Sequence, residues 1–135
     1  MDKVTFIATG DAFMTRRLPE KHYDGFKELS ELISSHDVKF TNLEITVHDR
    51  EGYPSACSGG TWAMTSPAVM DDLKSYGFNI YNAANNHTLD YSHNGLEATM
   101  RHLYERGMNY VGIGKCLADA CAPKYIECPR GRAAI

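Results

Sequence analysis

An α/β fold, a mostly parallel sheet with flanking helices, is predicted by three features of this 135-residue sequence. Short β-branched, apolar runs alternate with longer segments whose apolar residues recur at helical spacing. Two of the helical segments end on a glycine, Gly77 and Gly107, just before the next apolar run. Hydrophobic residues make up 43% and charged residues 23%, the balance of one globular domain.

The elements follow in order. "KVTFIATG", Lys3–Gly10, reads as a buried strand. Asp24 is placed to cap a helix over Gly25–Ser35 that turns Phe26, Leu29, Leu32 and Ile33 inward. "DVKFTNLE", Asp37–Glu44, reads as a second strand. The glycines, Pro54 and scattered polar residues between Thr46 and Thr65 predict a long loop holding a short hairpin. Ser66-Pro67 starts a helix whose inward face carries Val69, Leu73 and Tyr76. "FNIYNAA", Phe78–Ala84, is the third strand. Asn94 is placed to cap a helix that buries Leu96, Met100, Leu103 and Tyr104, and Asn109–Gly114 is the fourth strand. "PKYIECPRGRAAI" reads as a strand, a Pro-Arg-Gly turn and the opening of another strand. A strand left open at the chain end would expose its edge, so residues 1–135 are expected to be the N-terminal part of a longer domain.

Composition narrows the function classes. A net charge of −3 offers no electrostatic footprint for nucleic acid. No apolar stretch is long enough to cross a bilayer, and "MDKVTFIATGD" lacks a signal peptide's apolar region and cleavage site, so the chain as given reads as cytoplasmic. Cys57, Cys116, Cys121 and Cys128 form no C-x-x-C pair, which leaves free, mostly buried thiols as the expectation.

The chemistry gathers where strands end. Asp11 follows the first strand, Asn42 and Glu44 close the second, and Asn85, Asn86, His87 and Asp90 follow the third. In a parallel α/β sheet the carboxyl ends of the strands share one edge, where ligands bind. Carboxylates, amide oxygens and an imidazole suit a hard or borderline divalent metal, which polarises phosphoryl oxygens and acidifies bound water. Asp11, Glu44 and Asn86 are therefore candidate ligands, and Asn42 and Asn85 candidate substrate contacts. His87 could donate a proton to a leaving group or stabilise an oxyanion, with Asp90 fixing its tautomer. Each cluster also has a plainer reading: a Gly-Asp turn at Asp11, polar strand-end residues at Asn42 and Glu44, an Asx turn at Asn85–His87. His22, His36 and His48, in loops or at helix ends, and His102, on a helix, are expected at solvated positions, and His93 flanks a helix start. "GIGK", Gly112–Lys115, is a partial phosphate-loop pattern with Leu117 where a dinucleotide motif has its third glycine.

Beyond these separate readings, "GDAFM", "NLE", "GFNIYNAANNHTLDYSHNGLEATMRHLYERGMNYVGIG" and "ADACAP" together resemble the CapA/PgsA capsule-synthesis (poly-γ-glutamate) family of the calcineurin-like metallophosphoesterase superfamily. The likeness covers nearly the whole chain. It implies the N-terminal part of a four-layer α/β/β/α sandwich, with Asp11, Glu44 and Asn86 on a divalent metal (manganese, zinc or iron). It further implies His87 against the substrate oxyanion and Asp90 behind it. Where many superfamily members carry Asp-x-His, this chain has Asp11, Ala12 and Phe13, as is usual in the CapA group. The superfamily's further histidine ligands come from a later part of the domain, so these residues alone are expected to lack a complete dinuclear site and activity. A longer chain or a second copy is then expected to cover the remaining apolar surface. Family members are often membrane-anchored and extracytoplasmic. The function implied is metal-dependent hydrolysis of a phosphoester or related bond, tied to poly-γ-glutamate or capsule metabolism. The alternative is a non-catalytic accessory module that binds an anionic polymer or a partner of a polymer-synthesis machine; a nucleotide module built on "GIGK" is a third option.

Overall fold

The computed structural model describes residues 3–20, 23–58 and 60–135. His22 lies outside them. The chain runs β1 (Phe6–Ala12), α1 (Phe26–Ser34), β2 (Val38–Leu43), β3 (Thr46–Val47), β4 (Met64–Thr65) and α2 (Val69–Ser75). It continues through β5 (Ile80–Asn82), α3 (Ser92–Glu105), β6 (Tyr110–Val111), α4 (Leu117–Ala120), β7 (Tyr125–Cys128) and β8 (Gly131–Ala134). The main sheet has the order β1-β2-β5-β6, with every neighbouring pair parallel. The expected α/β class with a mainly parallel sheet is therefore what forms.

Each strand is added beside the last, always in the same direction. Right-handed crossovers then place every connecting helix on one face. That face carries Leu43 and Tyr81, which pack with Val69, Met70 and Leu73 of α2 and Leu103 of α3. Side-chain alternation along the strands turns Val38, Phe40 and Ile80 to the opposite face. There they meet Ile126, Cys128 and Ala133 of the antiparallel β7–β8 hairpin. Phe6, level with Val38, shares this second face and remains 51% exposed.

Several local expectations are corrected. Asp24 does not cap α1; Gly25, in the left-handed region at φ 89°, precedes the helix with no side-chain cap. Leu29 and Leu32 are exposed, because only Phe26 and Ile33 of α1 reach the core. Helix α3 begins at Ser92, so Asn94 sits inside its first turn rather than capping it. Tyr104 is exposed on the outer side of α3. Among its described residues the region 46–65 forms no hairpin: β3 and β4 pair in parallel, because the loop between them crosses over α3 before returning. Glu51 anchors that crossing, accepting hydrogen bonds from Arg101 (2.5 Å) and pairing with His102 Nε2 (3.1 Å). Burial alone would raise the Glu51 carboxyl, but the hydrogen bonds from His102 and from backbone N–H groups outweigh it and hold the pKa at about 2. Cys57, Cys116 and Cys121 are exposed and Cys128 half-buried, all free, so the thiols are not mostly buried.

His48 is the largest departure among the histidines. It is 0% exposed, stacked on Tyr91 with ring centroids 4.5 Å apart, and its Nδ1 accepts the Arg50 N–H at 3.1 Å. Its Nε2 is buried with no hydrogen-bond partner among the described residues. Burial pushes the imidazole below its ordinary value of 6.5, against the opposing pull of Glu51 and Asp49. The unfolded chain therefore takes up a proton that the folded chain refuses. The contribution of His48 to stability is full above the unfolded value and declines as pH falls through it. Melting temperature should drop on acidification from about pH 7.5 to about pH 5.5, and His48→Leu should flatten that drop. Glu51 acts in a separate, more acid window: its stabilisation is lost only as pH falls from 4.5 toward about 2.

Candidate functional site

The last rung shared by β1, β2 and β5 gathers three polar side chains. Asn42 is level with Asp11 on one side and with Asn82 on the other. Asp11 reaches this position through an irregularity in β1: Ala8 pairs with Phe40 and Asp11 with Asn42, so one extra residue lies between them. Such a bulge re-aims the side chain that follows it. Thr41 secures it, its hydroxyl donating to the Gly10 carbonyl at 3.0 Å while accepting from Thr9 Oγ1 at 2.9 Å. Without the extra residue, Gly10 would face Asn42 and Asp11 would point to the other side.

Amides join these groups. The Asn42 Nδ2 donates to Asp11 Oδ1 at 2.8 Å and to Glu44 Oε2. Its Oδ1 accepts from Asn82 Nδ2 at 2.8 Å and from Asn85 Nδ2 at 3.2 Å. Asn85 also donates to the Leu43 carbonyl at 2.9 Å and accepts the His87 N–H at 3.0 Å. The Asx turn that is the plainer reading of Asn85–His87 is thus present, and it ties the loop after β5 to the end of β2.

His87 and Asp90 are both buried. His87 Nδ1 lies 2.7 Å from Asp90 Oδ2, so the ring's Nε2 is left facing Glu44 Oε1 at 3.9 Å. Asp90 Oδ2 also accepts the Ala63 N–H at 2.6 Å, and the Asp90 carbonyl accepts the Ser55 N–H at 2.9 Å. The 46–65 loop therefore clamps the residue that orients the histidine. Phe13 lies edge-on to His87, with ring centroids 5.8 Å apart.

Asp11, Asn42, Glu44, Asn85, His87 and Asp90 thus come together as one network. Asn86 does not join it by a hydrogen bond. It is exposed and lines a shallow depression with Asn85, Thr88, Leu89 and Gly112, whereas Asp11 lines another with Phe13, Leu29 and Tyr76. Sequence reasoning missed Asn82 and the loop's hold on Asp90. Asn82 had a legible signal, since it ends its strand and Asn42 stands next to the end of the neighbouring one. The loop contact runs through backbone N–H groups and left none. "GIGK" has a packing explanation: a Cβ on Gly114 would fall 2.4 Å from Asp119 Cβ, so glycine there lets α4 approach. Among the described residues, no other histidine joins the network by a hydrogen bond.

Among the described residues, no three histidine, cysteine, aspartate or glutamate side chains form a ready metal cage. The donor set is instead two carboxylates gathered on one amide nitrogen, with an imidazole nitrogen beside them. Carboxylate oxygens are donors that manganese, zinc and iron accept, so Asp11 and Glu44 are of a type that a divalent ion takes, with further ligands still needed.

Residues 5–135 match the family model described as bacterial capsule synthesis protein PGA_cap. Two uncharacterized proteins of Sinorhizobium fredii, y4sH and y4uA, are each 39% identical over 138 aligned residues, covering 100% of this chain and 30% of their own length. The capsule biosynthesis protein CapA of Bacillus anthracis is 27% identical over 125 residues, covering 87% of this chain and 30% of its own. The chain thus spans under a third of the length of these relatives.

Proposed function

Because the chain belongs to the bacterial capsule synthesis protein PGA_cap family, we propose that it carries the metal-binding edge of a hydrolase-like domain acting in poly-γ-glutamate or capsule biosynthesis or turnover. The observation that supports this reading most is the pairing of a buried His87–Asp90 couple with Glu44 and Asp11 at the carboxyl edge of a parallel sheet. Asp11 and Glu44 would hold a divalent ion, and Asn86, exposed on the neighbouring depression, would turn toward them to serve as a third ligand. When bound, the ion would supply Lewis-acid polarisation and a more acidic water. With Nδ1 donating to Asp90, the doubly protonated His87 ring would present an Nε2 proton to the cleft, there to hydrogen-bond a substrate oxyanion or pass to a leaving group. Burial of both residues excludes water from that contact and strengthens it.

The test uses the full-length protein with manganese or zinc, assayed on generic phosphoesters and on poly-γ-glutamate. Metal-dependent turnover supports the proposal; its absence with every metal and substrate counts against it. A second reading is favoured by the Asn42 amide, which satisfies both carboxylates without any cation. In that reading the edge is an accessory site for an anionic polymer. Calorimetry separates the two, since polymer binding that survives chelation and Asn86→Ala belongs to the accessory module.

A further inference from the structure

The hydrogen bonds at the strand edge fix which way each amide points. Asn85 is set chiefly by the backbone: its oxygen accepts the His87 N–H at 3.0 Å, with the Thr88 hydroxyl at 3.4 Å, and its nitrogen donates to the Leu43 carbonyl at 2.9 Å. Its second amide proton is thereby aimed at Asn42, at 3.2 Å. Asn82 is set in the same sense, its oxygen accepting the Ala84 N–H at 3.3 Å while its nitrogen donates to Asn42 at 2.8 Å. Two donors converge on the Asn42 oxygen, so the Asn42 nitrogen must face Asp11 and Glu44. Both protons of that nitrogen are then used, one on each carboxylate. Asn42 has no donor or acceptor left for a substrate.

We infer that Asn82, Asn85 and Asn42 form a positioning relay that gathers the Asp11 and Glu44 carboxylates and links them to the His87 backbone. Asn42 and Asn85 act through their neighbours rather than by touching substrate, and Asn82 is a new member of the site. Two like-charged carboxylates repel when brought together; two N–H donors on one nitrogen hold them side by side in an orientation set by the backbone. Gly112 keeps the relay in place: at φ 85°, a Cβ there would meet Ala84 Cβ at 2.5 Å and Asn82 Oδ1 at 3.2 Å. The inference rests on the proposed metal site for its functional consequence, but not for its geometry.

The experiment titrates manganese into the full-length protein by calorimetry, comparing wild type with Asn82→Leu and Asn42→Leu, near-isosteric changes that delete the donors. Asn82 touches neither carboxylate, so a merely structural role would shift its melting temperature and leave manganese affinity alone. The expected result is a loss of affinity of about 10- to 100-fold in both variants, the size seen when groups behind a metal's ligands are removed. Equal affinity in all three proteins overturns the relay and leaves the metal reading standing. If wild type itself takes up no manganese, the metal reading fails, and exchange of the Asn42 side-chain amide protons by NMR decides the relay. Protection in wild type that is lost in Asn82→Leu supports it; unchanged exchange overturns it.

Discussion

Replacing His87 by alanine in the full-length protein is expected to lower metal-dependent phosphoester turnover by about 10²- to 10⁴-fold, the range that one positioned acid or base contributes. The reason is local. His87 is 8% exposed, its Nδ1 is committed to Asp90 at 2.7 Å, and Nε2 is the ring atom left toward Glu44 and the cleft. Alanine removes Nε2 but keeps the backbone N–H that Asn85 accepts, so the loop after β5 should hold its shape. Asp90 loses one donor but retains the Ala63 N–H. The measurements are kcat and KM with manganese, manganese affinity, and circular dichroism to show that the fold persists. A drop in kcat with KM and metal affinity nearly unchanged places His87 at the reacting bond. Turnover equal to wild type would remove His87 from the chemistry and return the accessory reading to first place.

The largest stability effect is expected from Leu103→Ala. Leu103 is 0% exposed and packs with Leu43, Leu73, Tyr81 and Met108, where α3 meets the sheet and α2. Truncation removes the buried carbons and leaves a cavity that close-packed neighbours fill only in part, at a cost of about 2–5 kcal/mol. For a domain of this size that corresponds to a fall in melting temperature on the order of 10 °C. Leu32→Ala serves as the control. Leu32 belongs to the apolar pattern of α1 but is 54% exposed, so its truncation should stay within about 0.5 kcal/mol. Thermal denaturation of the two variants side by side checks the pair; equal shifts would mean that α1 is buried more deeply in solution than its contacts here indicate.

The contrast between Leu103 and Leu32 shows where sequence reading holds. Both sit at helical spacing in an apolar pattern. Periodicity identifies the helix and its general face, but not how far along that face the neighbouring elements extend. For α1 the covering layer reaches Phe26 and Ile33 and stops short of Leu29 and Leu32. Capping was misjudged for a related reason. Asp24 and Asn94 are good caps by residue type, yet Gly25 and Tyr91 hold those positions, because the entering chain direction is set by packing rather than by propensity.

What the sequence determined by itself is the alternation of elements, and with it the mainly parallel sheet and the one edge at which the strands end. Those follow from hydrophobic period and from the handedness of crossovers, which are local or general physics. The residue types that gather at that edge were legible for the same reason. Only the tertiary structure decided which of them touch. The extra residue in β1 that swings Asp11 beside Asn42, the burial of His48, and the return of the 46–65 loop onto Asp90 all depend on contacts between segments remote in sequence. A one-residue shift in a strand moves a side chain to the opposite face, and backbone donors carry no residue signature, so neither could be read from the order of amino acids.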